Sequence, residues 1–302
     1  MKNVGGPDEF VNLKSDAGFK AVLGDPENKG LLIQFLNAIL PAQMQVGDIS
    51  KYADRELPGF SPQSKYGRLD LYCISTDGRH FVVEMQNEFG DTFFQRCVWY
   101  CSNIYSGELL SGDDYSSLAP VYLISILGGV YPHPDRSLWG QDDIISRYRM
   151  TEMRTGEVAP DTFLITFVEL GRFRKKSVAE VRTRLEWICY LFNNPGEMGR
   201  VVEAADDGFV RDFTRACNVA GFSPQKKIQY EKTMMNEMDY RAAMKYREEK
   251  GREEGLKQGM EEGEKKGKLE IARKMLANGM NVEHIAELTD LTQQEIEALE
   301  ER

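Results

Sequence analysis

Two short strand-forming segments, 67–72 and 83–86, flank a turn sequence, and this pair constrains the fold most. Thr76-Asp77-Gly78 is typical of a three-residue hairpin loop with glycine in the left-handed position. In that register Asp70 lies directly opposite Glu84, and opposite side chains on antiparallel strands share one face. Two adjacent carboxylates repel each other unless a cation compensates them, so the hairpin predicts a divalent metal site.

Gln86 belongs to the same predicted cluster, because it follows Glu84 by two residues and therefore lies on the same face. The residues alone leave two alternatives open. A two-residue Asp77-Gly78 turn would pair Asp70 with Met85 and turn Glu84 to the other face. A half-buried hairpin can also have such polar residues simply because one of its faces is in water.

A longer series of residues around this hairpin has a recognisable order and spacing. It comprises Ser15-Asp16-x-x-Phe19-Lys20-x-Val22-x-Gly24, Asn28-Lys29-x-Leu31-Leu32-x-x-Phe35-Leu36-Asn37-Ala38-Ile39-Leu40, Arg68-x-Asp70-Leu71, Glu84-Met85-Gln86 and Phe94-x-Arg96-x-x-x-Tyr100. The series resembles the recombination-promoting nuclease, or transposase-like, family of the PD-(D/E)XK nucleases. This resemblance implies a restriction-endonuclease-like α/β core, with a mixed sheet flanked by helices, and a helical C-terminal tail.

The resemblance also implies a role for each matching residue. Asp70 and Glu84 would be the metal ligands, with the backbone carbonyl of Met85 completing the shell around Mg²⁺ or another divalent cation such as Mn²⁺. Gln86 departs from the general pattern, which has lysine there, and glutamine can orient a water but supplies no charge. The other implied site residues are Asp16 as a further acidic residue, Lys20 and Arg96 as sources of the missing charge, Arg68 as a contact to phosphate or to a carboxylate, and Tyr100 as a positioning group for Arg96. Without the resemblance, helix capping and surface pairing would explain Asp16, Lys20, Arg96 and Tyr100.

The function implied by the resemblance is a metal-dependent DNA endonuclease related to transposases and recombination. The formal net charge of −10 counts against a tight nucleic-acid binder, although bound metal would add local positive charge. Two alternatives stay open: a catalytically degenerate nuclease fold that acts as an oligomeric interaction or DNA-binding module, and an RNA-directed nuclease. Scattered cysteines and the lack of a long apolar run predict a cytoplasmic protein with no membrane partner.

Periodicity and punctuation predict the remaining elements. Helices are expected over 15–23, 28–40, 93–110 and 178–192, strands over 44–52, 121–127 and 163–170, and a loop over 58–64. In the helix over 93–110, we expect Phe94, Val98, Tyr105 and Leu109 to face inward. The middle of the chain, about 128–225, has no motif that indicates a function.

A change in composition after Pro224 divides the chain into three predicted parts: a nuclease-like core over 1–225, a glycine-punctuated helix over 226–268 and a small helical unit over 269–302. Glycine recurs at Gly251, Gly255, Gly259, Gly263 and Gly267. Glycine destabilises a helix interior by about 1 kcal/mol relative to alanine, so this stripe favours close helix packing in a homo-oligomer. A flexible charged linker is the alternative.

The unit over 269–302 resembles a helix-turn-helix, and Thr292-x-x-Glu295 is a capping box that opens its last helix. That helix contains Glu295 and Glu297 and has no lysine or arginine before Arg302. Because acidic side chains repel phosphate, we favour protein packing over DNA readout for this helix.

Overall fold

The structure, a computed structural model, describes residues 9–53, 56–57, 67–107, 109, 111–140 and 142–300. The loop predicted over 58–64 lies outside these residues. The helices are α1 (Asp16–Val22), α2 (Lys29–Ile39), α3 (Phe93–Gly107), α4 (Arg184–Asn193), α5 (Met198–Ala204), α6 (Gly208–Ala216), α7 (Pro224–Ala277), α8 (Val282–Thr289) and α9 (Gln293–Glu300). The strands are β1 (Ile49–Tyr52), β2 (Glu56–Leu57), β3 (Gly67–Arg68), β4 (Leu71–Ser75), β5 (His80–Gln86), β6 (Val121–Leu127), β7 (Ile145–Tyr148) and β8 (Phe163–Glu169).

Six strands form one mixed sheet in the order β1-β4-β5-β6-β8-β7. Strands β5, β6 and β8 are parallel, whereas β1, β4 and β7 pair antiparallel with their neighbours. Strand β6 is buried along its whole length, as its continuous apolar sequence requires for a central strand covered on both faces. Strands β2 and β3 form a separate two-stranded ribbon. This mixed sheet with flanking helices confirms the predicted α/β core.

The β4–β5 hairpin has the predicted register. Leu71 pairs with Val83, which is the register that places Asp70 opposite Glu84. Gly78 has a φ of 86°, a left-handed conformation that glycine adopts without strain. The Gly78 N–H closes the three-residue loop on the Ser75 carbonyl at 3.0 Å, so the two-residue turn is excluded.

Helices cover both faces of the large sheet. Helix α3 covers the face of the sheet that presents Val82 and Phe167. Helices α2, α4 and α6 cover the other face, which presents Val83 and Ile124. Side chains alternate along β5, so Glu84 faces α3 together with Val82. The candidate site therefore lies between α3 and the β4–β5 hairpin.

Helix α3 is rotated relative to the predicted orientation. Phe94 and Tyr105 pack against the α3-side core as predicted, but Val98 is 38% exposed. The helix presents a stripe that includes Cys97 to the sheet, and Val98 therefore points away from the core. The predicted inward position of Leu109 is also wrong, because α3 ends at Gly107.

Three further features differ from the sequence prediction. A break at Leu69 and Asp70 divides the predicted first hairpin strand into β3 and β4. Helix α4 begins at Arg184, later than predicted, because Thr183 and Glu186 form a capping box there. The middle region, for which no motif was found, adds edge strand β7 and helices α5 and α6 to the core.

The C-terminal part was predicted as separate helices, but α7 is one helix of 54 residues. The chain divides into two compact units, residues 1–237 and 238–302. In the second unit, α8 and α9 enclose a small core with the end of α7, formed by Ala272, Ile285, Leu291 and Ile296. None of the described helices has the length and apolar character needed to cross a membrane.

Candidate active site

Asp70 and Glu84 are held together by a crossed pair of backbone hydrogen bonds. The Asp70 N–H donates to Glu84 Oε1 at 3.0 Å, and the Met85 N–H donates to Asp70 Oδ2 at 2.9 Å. The break after β3 frees the Asp70 N–H from the strand ladder, so the Glu84 carboxylate can accept it. Each carboxylate is therefore oriented by the backbone of the opposite strand, which fixes both acids at one end of the hairpin.

Burial strongly disfavours the ionised forms of both acids. The Glu84 residue is only 5% exposed, and burial, followed by the charge of Asp70, raises its pKa to about 8. Burial also raises the pKa of Asp70, although the Met85 N–H and the Lys20 ammonium oppose that rise. Desolvation and a neighbouring like charge are the two standard causes of a raised carboxyl pKa. A cation between the two acids would relieve both effects.

Helix α1 brings a third acid and a cation to the pair. Lys20 forms an ion pair with Asp16 one turn earlier, and its Nζ is 3.8 Å from Asp70 Oδ1. The Ser15 side chain caps this helix by accepting the Gly18 N–H at 2.9 Å. A Cβ at Gly18 would lie 2.1 Å from the Asn12 carbonyl oxygen, so glycine is required where α1 approaches the preceding loop.

Gln86 and Arg96 form the opposite side of the site. Arg96 Nη2 donates to Gln86 Oε1 at 2.5 Å, and Gln86 Nε2 donates to the Glu88 carbonyl at 2.6 Å. The Arg96 Nε atom is buried and has no hydrogen-bond partner among the described residues. Tyr100 lies one turn later and is 7% exposed. Burial, followed by the charge of Glu84, raises the pKa of Tyr100 to about 12.

The structure therefore gathers most of the predicted site residues around the carboxylate pair, whereas Arg68 lies in the β2–β3 ribbon. The residues gathered around the carboxylate pair are Asp16, Lys20, Gln86, Arg96 and Tyr100, with Met85 contributing its backbone. Arg68 is different, because it is exposed and pairs with Glu56 in the β2–β3 ribbon. The break at Leu69 and Asp70 means that Arg68 does not share a continuous strand with Asp70.

The donor set fits a hard divalent cation with few protein ligands. In a β-strand, the N–H and C=O groups of one residue point toward the same neighbouring strand. Because the Met85 N–H donates to Asp70, the Met85 carbonyl also points toward the Asp70 side of β5. Two carboxylates and a carbonyl offer only oxygen atoms. Magnesium sites commonly use one or two carboxylates and retain several waters. Among the described residues, no group of three or more His, Cys, Asp or Glu side chains could hold a metal.

Sequence reasoning missed a buried polar network at the same edge of the sheet. Glu169 ends β8 in register with Gln86, two strands away, and is fully buried. Its carboxylate contacts His133 Nε2 and Arg172 Nε, each at 2.8 Å, and Tyr148 OH lies 2.9 Å from His133 Nδ1. An acidic residue at the end of a buried apolar strand is the available signal for Glu169. The distant residue His133 gave no such signal.

Comparison with known proteins identifies both parts of the chain. The family model for PD-(D/E)XK nuclease family transposases matches residues 13–247, and the model for the C-terminal HTH domain of the Rpn/YhgA-like nuclease family matches residues 265–301. Searches of curated proteins and of solved structures found no match to the chain. The first match covers well over half of the sequence and contains every predicted site residue. The chain belongs to the PD-(D/E)XK nuclease family of transposases and has a C-terminal helix-turn-helix domain of the Rpn/YhgA-like type.

Proposed function

We propose that this protein is a metal-dependent DNA endonuclease whose reaction centre is the Asp70–Glu84 pair. The observation that carries this proposal is the pair itself: two buried carboxylates, each oriented by a backbone N–H of the other strand. Such an arrangement is unfavourable without a cation, because both acids lie in a low-dielectric environment. A raised carboxyl pKa beside a specific charge partner is also a general sign of a functional site.

Asp70, Glu84 and the Met85 carbonyl would hold Mg²⁺ or Mn²⁺. When bound, the cation would supply Lewis-acid stabilisation of the phosphoryl oxygens and acidify a water. The protein would contribute positioning and charge. The Gln86 amide can orient a water by hydrogen bonding. Arg96 and Lys20 can neutralise the negative charge of the phosphate, in place of the lysine that the general pattern has at position 86.

DNA is the proposed substrate, and a homo-oligomer is the proposed assembly. The match to a helix-turn-helix domain supports DNA contact. Within that domain, however, the Thr292 N–H and Lys265 hold the side chain of Glu295. The acidic character of α9 favours protein packing. The five cysteines are buried free thiols, which supports a reducing compartment such as the cytoplasm.

Cleavage of supercoiled plasmid by the purified chain tests the proposal. We expect open-circle DNA to form with Mg²⁺ or Mn²⁺ and no cleavage in EDTA. Asp70→Ala should abolish the cleavage, because it removes one proposed ligand and the acceptor for the Met85 N–H. Equal cleavage by Asp70→Ala would contradict the assignment of the site.

The second candidate is a catalytically degenerate nuclease fold that acts as an oligomeric interaction or DNA-binding module. Two observations favour it: Gln86 replaces the lysine of the general pattern, and Lys20 already contributes a positive charge beside Asp70. Absence of cleavage with either metal, combined with DNA binding by the full chain, would support this alternative over the endonuclease.

A further inference from the structure

A cavity of about 340 Å³ lies between the loop that follows β5 and the first turns of α3. Its lining includes three aromatic residues, Phe89, Phe93 and Trp99, and four polar ones, Glu88, Thr92, Gln95 and Arg96. Arg96 links the cavity to the candidate site, since its Nη2 also donates to Gln86. A ligand in this cavity would therefore be adjacent to the proposed reaction centre.

The aromatic lining offers flat surfaces that solvent can reach. Phe89 and Trp99 are each partly exposed, and Phe93 is buried next to Phe89 with a ring-centroid distance of 5.6 Å. Thr92 and Gln95 add exposed polar groups. A nucleobase has the complementary chemistry, with two flat apolar faces and a polar edge, and stacking on aromatic side chains is how proteins bind unpaired bases.

Size and charge narrow the choice of ligand. The cavity volume is at the small end of the range of about 300–1,000 Å³ that is typical of ligand pockets, which suits a ligand the size of a single base. The guanidinium carbon of Arg96 is 4.9 Å from the Phe93 ring centroid. The Arg96 guanidinium therefore places a positive charge next to an aromatic ring at the cavity wall.

We infer that this cavity binds an unpaired nucleobase of the DNA strand that is cleaved at the Asp70–Glu84 pair. The inference rests on the proposed function and specifies its substrate: DNA with an unpaired nucleotide next to the cleaved bond. Fully paired DNA keeps its bases stacked within the duplex, so it cannot place one against Phe89 or Trp99 without flipping it out.

Fluorescence anisotropy of labelled oligonucleotides, in EDTA with the full-length chain, tests the inference without requiring cleavage. The probes are an oligothymidylate, an abasic oligonucleotide of equal length, a fully paired blunt-ended duplex and an oligouridylate. Trp99→Leu and Phe89→Leu should each weaken oligothymidylate binding by about 5- to 150-fold, because stacking contributes about 1–3 kcal/mol per base. Trp99→Phe, which retains an aromatic ring, should restore most of the affinity.

The abasic probe separates base stacking from phosphate binding. Trp99→Leu should leave abasic binding unchanged, since that probe has no ring to stack. Tyr115→Leu is the matched control, because Tyr115 is 80% exposed, does not line the cavity, and precedes the opposite end of β6. It should leave binding of every probe unchanged. Circular dichroism verifies that each variant is folded.

Three results would overturn the inference: equal weakening of abasic and oligothymidylate binding by Trp99→Leu, no weakening of either, or tighter binding of paired DNA than of oligothymidylate. Tighter binding of oligouridylate would contradict the assignment to DNA. The nuclease proposal is tested by a different measurement, because its failure would be seen as an absence of plasmid cleavage. Base binding without cleavage would contradict the endonuclease alone.

Discussion

At the scale of single residues, Glu84 combines two unfavourable conditions. Its carboxylate is buried, and the carboxylate of Asp70 is its neighbour in the hairpin. The Asp70 N–H, which donates to Glu84 Oε1, offsets part of the cost of burying this carboxylate. In the metal-free protein these conditions favour the protonated acid, whereas a bound cation would favour the ionised form. The residue that is best placed to bind metal is therefore a source of instability in its absence.

Glu84→Gln should raise the free energy of unfolding of the metal-free protein at pH 8, by on the order of a few kcal/mol. The pKa of Glu84 is about 8 in the folded state and higher than in the unfolded chain, so folding takes up a proton between these two values. Stability of the wild type consequently falls as pH rises through that window. Urea unfolding at pH 8 and pH 5 measures the effect, which should be small at pH 5. An equal gain at both pH values would contradict the raised pKa.

Arg96 is the residue that we expect to replace the missing lysine charge. Arg96→Gln should slow plasmid nicking by about tenfold or more, because it removes a fixed cation beside the reacting phosphate. Adding Gln86→Lys to that variant should recover part of the rate by restoring a positive charge on the same side of the site. Arg215→Gln, which changes an exposed guanidinium on α6, is the control. Slower cleavage by the double variant than by Arg96→Gln would contradict the charge assignment.

At the scale of elements, the close approach of β3 to α3 depends on Gly67. A Cβ at this position would lie 2.7 Å from Trp99 Cζ3 and 3.0 Å from Tyr100 Cε1. Gly67 lies three residues before Asp70, so the same approach helps to place the first proposed metal ligand beneath α3. The helix and the hairpin are thus coupled through one small residue.

Gly67→Ala should lower the free energy of unfolding by about 1–3 kcal/mol, since the added methyl group overpacks a filled contact. It should also slow plasmid nicking by displacing Tyr100 and the chain that leads to Asp70. Gly30→Ala in α2 is the matched control, because no atom lies within 4 Å of the Cβ position there. Urea unfolding compares the two variants. Equal stability of both would show that the contact at Gly67 is not tight.

Features fixed by residues close together in the sequence could be predicted, whereas contacts between distant residues could not. The register of Asp70 and Glu84 could be predicted, because turn chemistry at Gly78 fixes a local hairpin. The Glu169–His133 contact joins residues 36 apart, and no local pattern specifies it. Val98 was assigned to the wrong face of α3 because apolar residues occur on both sides of that helix, and only packing against the sheet decides between them.

At the scale of the whole molecule, the glycine-punctuated segment is part of one continuous helix. Added Cβ atoms at Gly251, Gly255, Gly259, Gly263 and Gly267 would meet nothing within 4 Å among the described residues. The stripe is therefore not explained by packing within the chain. Small residues at this spacing allow close contact between two helices, which supports the proposed homo-oligomer.

Gly259→Leu should lower the assembly state, because a leucine would prevent close approach of a second α7 helix. The substitution leaves the monomer helix intact, since leucine is the better helix former by about 1 kcal/mol. Glu261→Leu is the matched control: it adds the same side chain about 200° further round the helix. Light scattering measures the mass of each variant. An unchanged mass for Gly259→Leu would favour a role for α7 as a spacer.

The architecture of the nuclease-like core was accessible from the sequence, because it repeats a family pattern of motifs in a fixed order. The continuity of α7 was not, since glycine every fourth residue is compatible with a linker as well as a helix. The cavity beside Arg96 also required the fold, because Phe89 and Trp99 line one cavity only in the folded arrangement of α3 and the loop that precedes it. Residue types indicated the chemistry of the site, and packing determined its surroundings.

The measurement that tests the account most directly compares plasmid nicking by the wild type, Asp70→Asn and Asp212→Asn in Mg²⁺. Asparagine at position 70 keeps an acceptor for the Met85 N–H but removes the charge that would bind metal. Asp212→Asn makes the same chemical change on an exposed residue of α6. We predict nicking by the wild type and Asp212→Asn, and at least about a hundredfold slower nicking by Asp70→Asn. Equal nicking by all three proteins would contradict a reaction centre at Asp70 and Glu84.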